Sequence, residues 1–537
     1  MILPVPNISL FSLRRGQGLL FLAFVTLLLG SLPVGAWAPS EADELKVVLQ
    51  GDIKGTNPGV TRDGNTDTVI HHIAESLVAY RSDLSVAPML AKSIQVSDDM
   101  TRFTFTLRGG VKFHNGSVMT SKEVKWSWDR MLDPATRWRC RHWYDGSNVQ
   151  SSKIEEITTP DPQTIVFQLE KPSSVFLDRM ANVQCITAIL HPDSVSADGT
   201  WIEPIATGPY KFEEWKRGEY VLLTKFDEYS ARTEPRDGYA GRREALVPRI
   251  RFMVVGEMAI GVASILSGNI DILPLLPLHL VPDFKRRPDV KIQGKNLLSW
   301  SVLLMQSNDE TLKDVRIRKA IAHAINIDQV AAISTFGNAQ ANPSAIPLDS
   351  PFHTPVHKTW YEYSPAKAKA LLKEAGYHGQ ALTIKTNRKI PYMFENAIAI
   401  QAMLTAVGIN APLEVVDWAT QLSDFFSGNF QLSAFGYSGR THPALNYDSF
   451  LGLKDDKPNM QWDNHAMLEL LQKAEQEPLV ERQKQLFEQI HLAMYDEVPI
   501  IGLFNEYGAD VTRTNIQGYE PWVMGRPRLW GVRKEER

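Results

Sequence analysis

Few residues in this 537-residue chain stand in an arrangement that could do covalent chemistry. Gly436-Tyr437-Ser438-Gly439 is the nearest approach to a nucleophile elbow, but glycine follows the serine directly, so the Gly-x-Ser-x-Gly spacing is missing. No His-Glu-x-x-His pair occurs, and no phosphate-binding glycine loop ends in Lys-Ser/Thr. His71 and His72 are adjacent, and on a regular strand such neighbours diverge, so they do not chelate one ion. His114, in Lys-Phe-His-Asn-Gly, sits by a turn and reads as structural. Glu155-Glu156 and Asp455-Asp456 read as solvated charge pairs. Two cysteines exclude a disulfide scaffold and a four-cysteine zinc site, but allow one disulfide. The chemistry left open is capture of a ligand, with no catalytic residues, no metal site and no cofactor expected.

The elements that would position such a site alternate between helix and strand from about 45 to 515. Phe103, Phe105 and Leu107 alternate with polar residues and predict a half-buried strand closed by Gly109-Gly110. Thr120-Ser-Lys-Glu123 is a capping box, and Val124, Trp128, Met131 and Leu132 behind it share one helical face. Ile165, Phe167 and Leu169 predict another strand. Asp314 caps a helix in which Ile317, Ile321, Ala324 and Ile325 share a face. Ser364-Pro365 and Gly376 bracket a run of good helix formers. Leu413, Val415 and Val416 suggest a further strand. The sequence shows neither internal repeat nor long linker, so several lobes should share one body.

Composition supports a globular chain: 44% hydrophobic, 22% charged, and a formal net charge of −4 that gives no electrostatic footprint for nucleic acid. Arg14-Arg15, the apolar run Leu19–Leu29 and Ala36-Trp37-Ala38 read as a secretory leader, residues 1–38, cleaved after Ala38. The run is about half the roughly 20 residues needed to span a bilayer. Export implies an oxidising compartment, expected to be the periplasm.

Several blocks, in order, resemble the peptide/nickel-type (family 5) extracellular solute-binding proteins of ATP-driven importers. They are Ala87–Ile94, Phe103–Gly116, Thr120–Pro134, Ala206–Phe212, Ser267–Ile272, Asp314–Ile321 and Ala368–Gly376. The resemblance implies a two-lobed α/β clamp with mixed sheets, three domains and a two-strand hinge, expected near 255–275 and 495–510. Domain I would comprise 39–76, 206–262 and 500–537, domain II 77–205 and domain III 263–499. It also implies a monomer, without nucleic-acid partners, that docks on an inner-membrane permease. Cys140 and Cys185 both fall in the expected domain II and should pair.

Ligand class follows from how this chain departs from the family. Peptide-binding members carry an acid before a Pro that pairs with the peptide amino group. Here the segment is Gly436–Pro443, with Gly439 or Arg440 in the acid's place and no Asp or Glu from Asn429 to Pro443. Arg388 aligns with an arginine that meets a ligand carboxylate, and Trp418 with a pocket-lining aromatic; Tyr437 adjoins them. The leading expectation is a short peptide or peptide-like solute. The alternatives are an anionic opine-like or sugar-phosphate-like compound, a chelated metal, and, from another class, a secreted hydrolase.

Overall fold

The computed structural model describes residues 44–148 and 151–536; the leader read at 1–38 lies outside them. A ten-stranded mixed sheet runs through the molecule. Its strands in chain order are β1 (Glu44–Leu49), β2 (Tyr210–Lys216), β3 (Tyr220–Lys225), β4 (Arg249–Val254), β5 (Ile272–Leu273), β6 (Val290–Met305), β7 (Ile384–Thr386), β8 (Leu413–Val415), β9 (Leu432–Tyr437) and β10 (Ile500–Arg513). Across the sheet the order is β8-β7-β9-β6-β10-β5-β1-β4-β3-β2. β6 and β10, 16 and 14 residues long, pair antiparallel along most of their length, with irregular register between Asn296 and Trp300. One end of this ribbon lies beside β5 and β1, the other beside β9. These are the two strands that join the halves of the sheet. The first lies C-terminal to the expected 255–275, where the chain instead forms a helix, Met258–Ser267, and β5.

Strand β6 illustrates why a continuous apolar run becomes a strand here. Leu303 and Met305 face a core that includes Ile317, Ile321 and Ile400, while Trp300, Val302 and Leu304 face another with Phe435, Phe487 and Ile490. Both faces are covered, so the alternation of polar and apolar residues disappears. A four-stranded antiparallel sheet from Ala91–Val96, Arg102–Leu107, Thr164–Leu169 and Ile154–Asp161 carries the segment between β1 and β2. Thr120 and Glu123 form their capping box at helix Ser121–Leu132, burying Val124, Trp128 and Met131. Asp314 caps helix Val315–Ala324; Ile325 is its C-cap, one residue past the predicted face. Ser364 caps helix Pro365–Glu374, and Gly376 follows with φ of 71°. Cys140 and Cys185 are bonded, with Cα atoms 5.9 Å apart.

Candidate functional site

Strand β9 delivers the chain to Ser438-Gly439-Arg440 against the irregular stretch of β6. A Cβ at 439 would lie 2.6 Å from the Leu298 carbonyl carbon and 2.8 Å from the Ser299 nitrogen, so only glycine lets the two backbones come this close. That approach aims Arg440 across to the segment between the two sheets. Its Nη1 donates to Gln184 Oε1, and also to the carbonyls of Ser438 at 3.0 Å and Gly439 at 3.2 Å. Burial depresses the Arg440 pKa to about 10, with the positive charges of Arg62 and Arg526 acting in the same direction.

Those two arginines arrive from opposite ends of the chain. Asp63 caps helix Gly64–Ile73, whose inward face buries Asp67, His71 and His72. Asp67 accepts from Arg62 at 2.7 Å and faces Arg526 at 3.2 Å. Burial raises the Asp67 carboxyl above its usual range, and the two arginines oppose that rise. Arg526 Nη1 donates to the Val183 carbonyl at 3.1 Å, which also takes the His71 Nε2 at 2.7 Å. His71 and His72 thus stand on a helix, and their roles are structural. His72 Nε2 accepts from the Leu529 amide at 3.1 Å, so its Nδ1–H donates to Thr68 O at 2.8 Å, and burial lowers its pKa to about 3. His114 is equally tied, donating through Nε2 to Gly208 O at 3.0 Å and accepting from the Ala206 amide at 3.3 Å.

The aromatic wall comes from the same end of β9. Tyr437 stacks on Trp300 with ring centroids 6.4 Å apart, and Phe425, Phe435 and Phe450 surround it. Its buried hydroxyl has no hydrogen-bond partner among the described residues, as do Asn446 Nδ2 and Asp448 Oδ1 just beyond Arg440 and Tyr144 Oη on the opposing segment. Buried polar atoms are ordinarily satisfied, so each of these is free to take a polar guest or water. Trp418 opens helix Trp418–Ser427 and stacks on Phe435 at 5.8 Å. Arg388 follows β7, the parallel neighbour of β9, but lies exposed with its guanidinium 4.2 Å above the Phe394 ring, and no contact joins it to Arg440 among the described residues. The structure therefore gathers Tyr437, Gly439 and Arg440, leaves Trp418 behind Phe435, and sets Arg388 apart. It adds Arg62, Asp67, Gln184 and Arg526, which nothing in their spacing announced.

A second cross-contact lies nearby. Glu475, in helix His465–Gln476, accepts from Arg179 at 2.9 Å, with both side chains buried. Its carbonyl takes the Ser174 amide and hydroxyl, each at 2.8 Å.

The four-stranded sheet with its flanking segments, facing β9 and the helices beyond it, defines a two-lobed α/β clamp with polar groups at the seam. Comparison with known proteins agrees. Residues 85–459 match the model for bacterial extracellular solute-binding proteins, family 5 Middle. A Brucella ovis protein named an ABC transporter peptide-binding protein is 30% identical over 361 residues, 64% of this chain and 63% of its own length. The fold is that of DppA from Helicobacter pylori in complex with peptide STSA, with a TM-score of 0.77, 24% identity, and 92% of this chain and 98% of that one covered. It is equally that of the binding protein AgaA of A. tumefaciens R10 in complex with agropinic acid, with a TM-score of 0.76, 23% identity, and 92% and 99% covered. The chain belongs to the family 5 bacterial extracellular solute-binding proteins. No helix among the described residues is long and apolar enough to cross a membrane.

Proposed function

We propose that this protein is the exported binding component of an ABC importer, capturing a short peptide or peptide-like solute between two lobes and delivering it to a membrane permease. The observation that carries this reading is the family match over 85–459, inside a fold shared along 92% of the chain with a peptide-bound relative. Cleavage after Ala38, residence in the periplasm, a monomeric state and the absence of catalysis are part of the proposal. So is the lobe division, in which 39–76, 206–262 and 500–537 form one lobe with 77–205 attached, and 263–499 forms the other. The pairing of β5 with β1 and of Val290–Asn296 with the far end of β10 favours moving the boundary at 262/263 toward the irregular stretch at 296–300. The solute binds better to the closed form because only that form touches it from both sides.

A second reading, an anionic opine-like solute, is favoured by one observation. Arg440 stands at or beside the position where peptide binders carry an acid, and its neighbours are two further arginines. In either reading Arg440 contacts an anionic group and Tyr437 supplies apolar wall, with Trp418 backing that wall through Phe435, while Arg388, exposed over Phe394, stays outside this set. Native mass spectrometry of freshly purified protein tests both readings, and a co-purified solute that is neither peptide-like nor anionic sinks them.

A further inference from the structure

We infer that Arg62, Arg440 and Arg526 together form one anion site at the seam of the lobes, built for a carboxylate or phosphate group of the captured solute; this rests on the solute-capture reading above. Four separate segments converge there. Asp67 holds Arg62 at 2.7 Å and Arg526 at 3.2 Å. Arg526 is held from its other side by Val183 O at 3.1 Å, and Arg440 by the side chain of the next residue, Gln184. The second and third guanidiniums are thus anchored on consecutive residues of one turn.

Ion pairing at the seam is uneven. Asp67 takes two guanidiniums at once, Arg62 and Arg526. Among the described residues Arg440 is held by neutral acceptors, Gln184 Oε1 and the carbonyls of Ser438 and Gly439. By contrast, Arg251 with Glu44 and Arg179 with Glu475 match one to one. The donors do not balance either. Arg62 Nε is buried without a partner among the described residues, and Arg440 spends only Nη1 on protein acceptors. A planar anion with two or three oxygens satisfies both deficits, because each guanidinium presents a fork of N–H groups to it. Chain segments before the first helix, after β9 and after β10 each supply one arginine, so the anion is met from both lobes and favours closure.

The test uses the full chain freed of co-purified solute, at low ionic strength, with acetate and inorganic phosphate as probes and sodium chloride at matched ionic strength as reference. Thermal unfolding is followed against probe concentration. A saturable rise in Tm with acetate marks a carboxylate site; with phosphate, a phosphate site. Arg62→Gln, Arg440→Gln and Arg526→Gln should each weaken the response about tenfold or more, and Arg526→Lys, which keeps the charge beside Asp67 but loses the fork, should rescue it only in part. Arg286→Gln, at an exposed surface pair, should respond like wild type. The inference is overturned if neither probe exceeds chloride, or if the three glutamine variants respond like wild type. An arginine-dependent anion response in a protein that captures no peptide leaves the site standing and sinks the peptide reading. A captured peptide whose affinity ignores all three arginines does the reverse.

Discussion

Arg440 and Gly439 do different work within two adjacent positions. Arg440→Ala should weaken binding of the solute identified by mass spectrometry about tenfold to somewhat over a hundredfold, the value of a partly desolvated bidentate contact. Arg440→Asp should reverse the preference from anionic to cationic groups, and Arg388→Ala, at an exposed guanidinium, should cost less. Calorimetry on the three variants checks this, and equal affinities would sink the role of Arg440. Gly439→Val acts on stability instead. Its side chain would collide with the Leu298 backbone, which cannot move without disturbing β6. A loss of about 1–3 kcal/mol in urea unfolding is expected, the usual cost of overpacking. Arg440 and Gly439 could be singled out from the sequence because they replace an acid in a recognisable segment. Arg62, Asp67 and Arg526 could not, since pairing across the chain leaves no local pattern.

At the scale of elements, helix His465–Gln476 meets the short helix Phe176–Met180 through Glu475 and Arg179. Burial raises the Glu475 carboxyl to about 7 despite the arginine. A carboxyl whose folded pKa exceeds its unfolded value contributes stability that is fully present below about 4.5 and is lost as pH rises through about 7. Glu475→Gln has no such titration. The difference in Tm between variant and wild type should therefore move in the variant's favour from about pH 5 to about pH 8.5. A difference independent of pH would show that Glu475 ionises as freely folded as unfolded. Local elements were well read where a cap or a period marked them: the box at Thr120, the alternation at Phe103–Leu107, the glycine at 376. The helix over His71 and His72 was missed because its buried polar residues mask any amphipathic stripe.

At the scale of the molecule, β6 and β10 carry the connection between the halves. Their irregular register at 296–300 lies beside Gly439 and Trp522-Val523, where Leu298 N donates to Val523 O at 2.9 Å. A change of lobe angle concentrated there should compact the protein on solute binding. Small-angle scattering at saturation checks it, and an unchanged radius of gyration would count against closure. The Cys140–Cys185 bond closes a loop with a sequence separation of 45 residues. Replacing both cysteines with serine should lower stability by about 3–4 kcal/mol through the entropy of the unfolded chain, measured by denaturant unfolding against the oxidised protein.

What the sequence by itself determined was the kind of molecule. Ordered blocks of caps, strands and turns are local, and their physical signals survive without any partner, so the α/β elements and the lack of known catalytic motifs could be read directly, and the clamp followed from the resemblance of those blocks to a known family. The crossing point between lobes, and the company Arg440 keeps, were decided only by tertiary structure. Residues 62, 184, 440 and 526 come together because sheet order and the backbone contact at Gly439 bring four distant segments to one place. Charge balance at such a point is a sum over space, and no spacing along the chain encodes it.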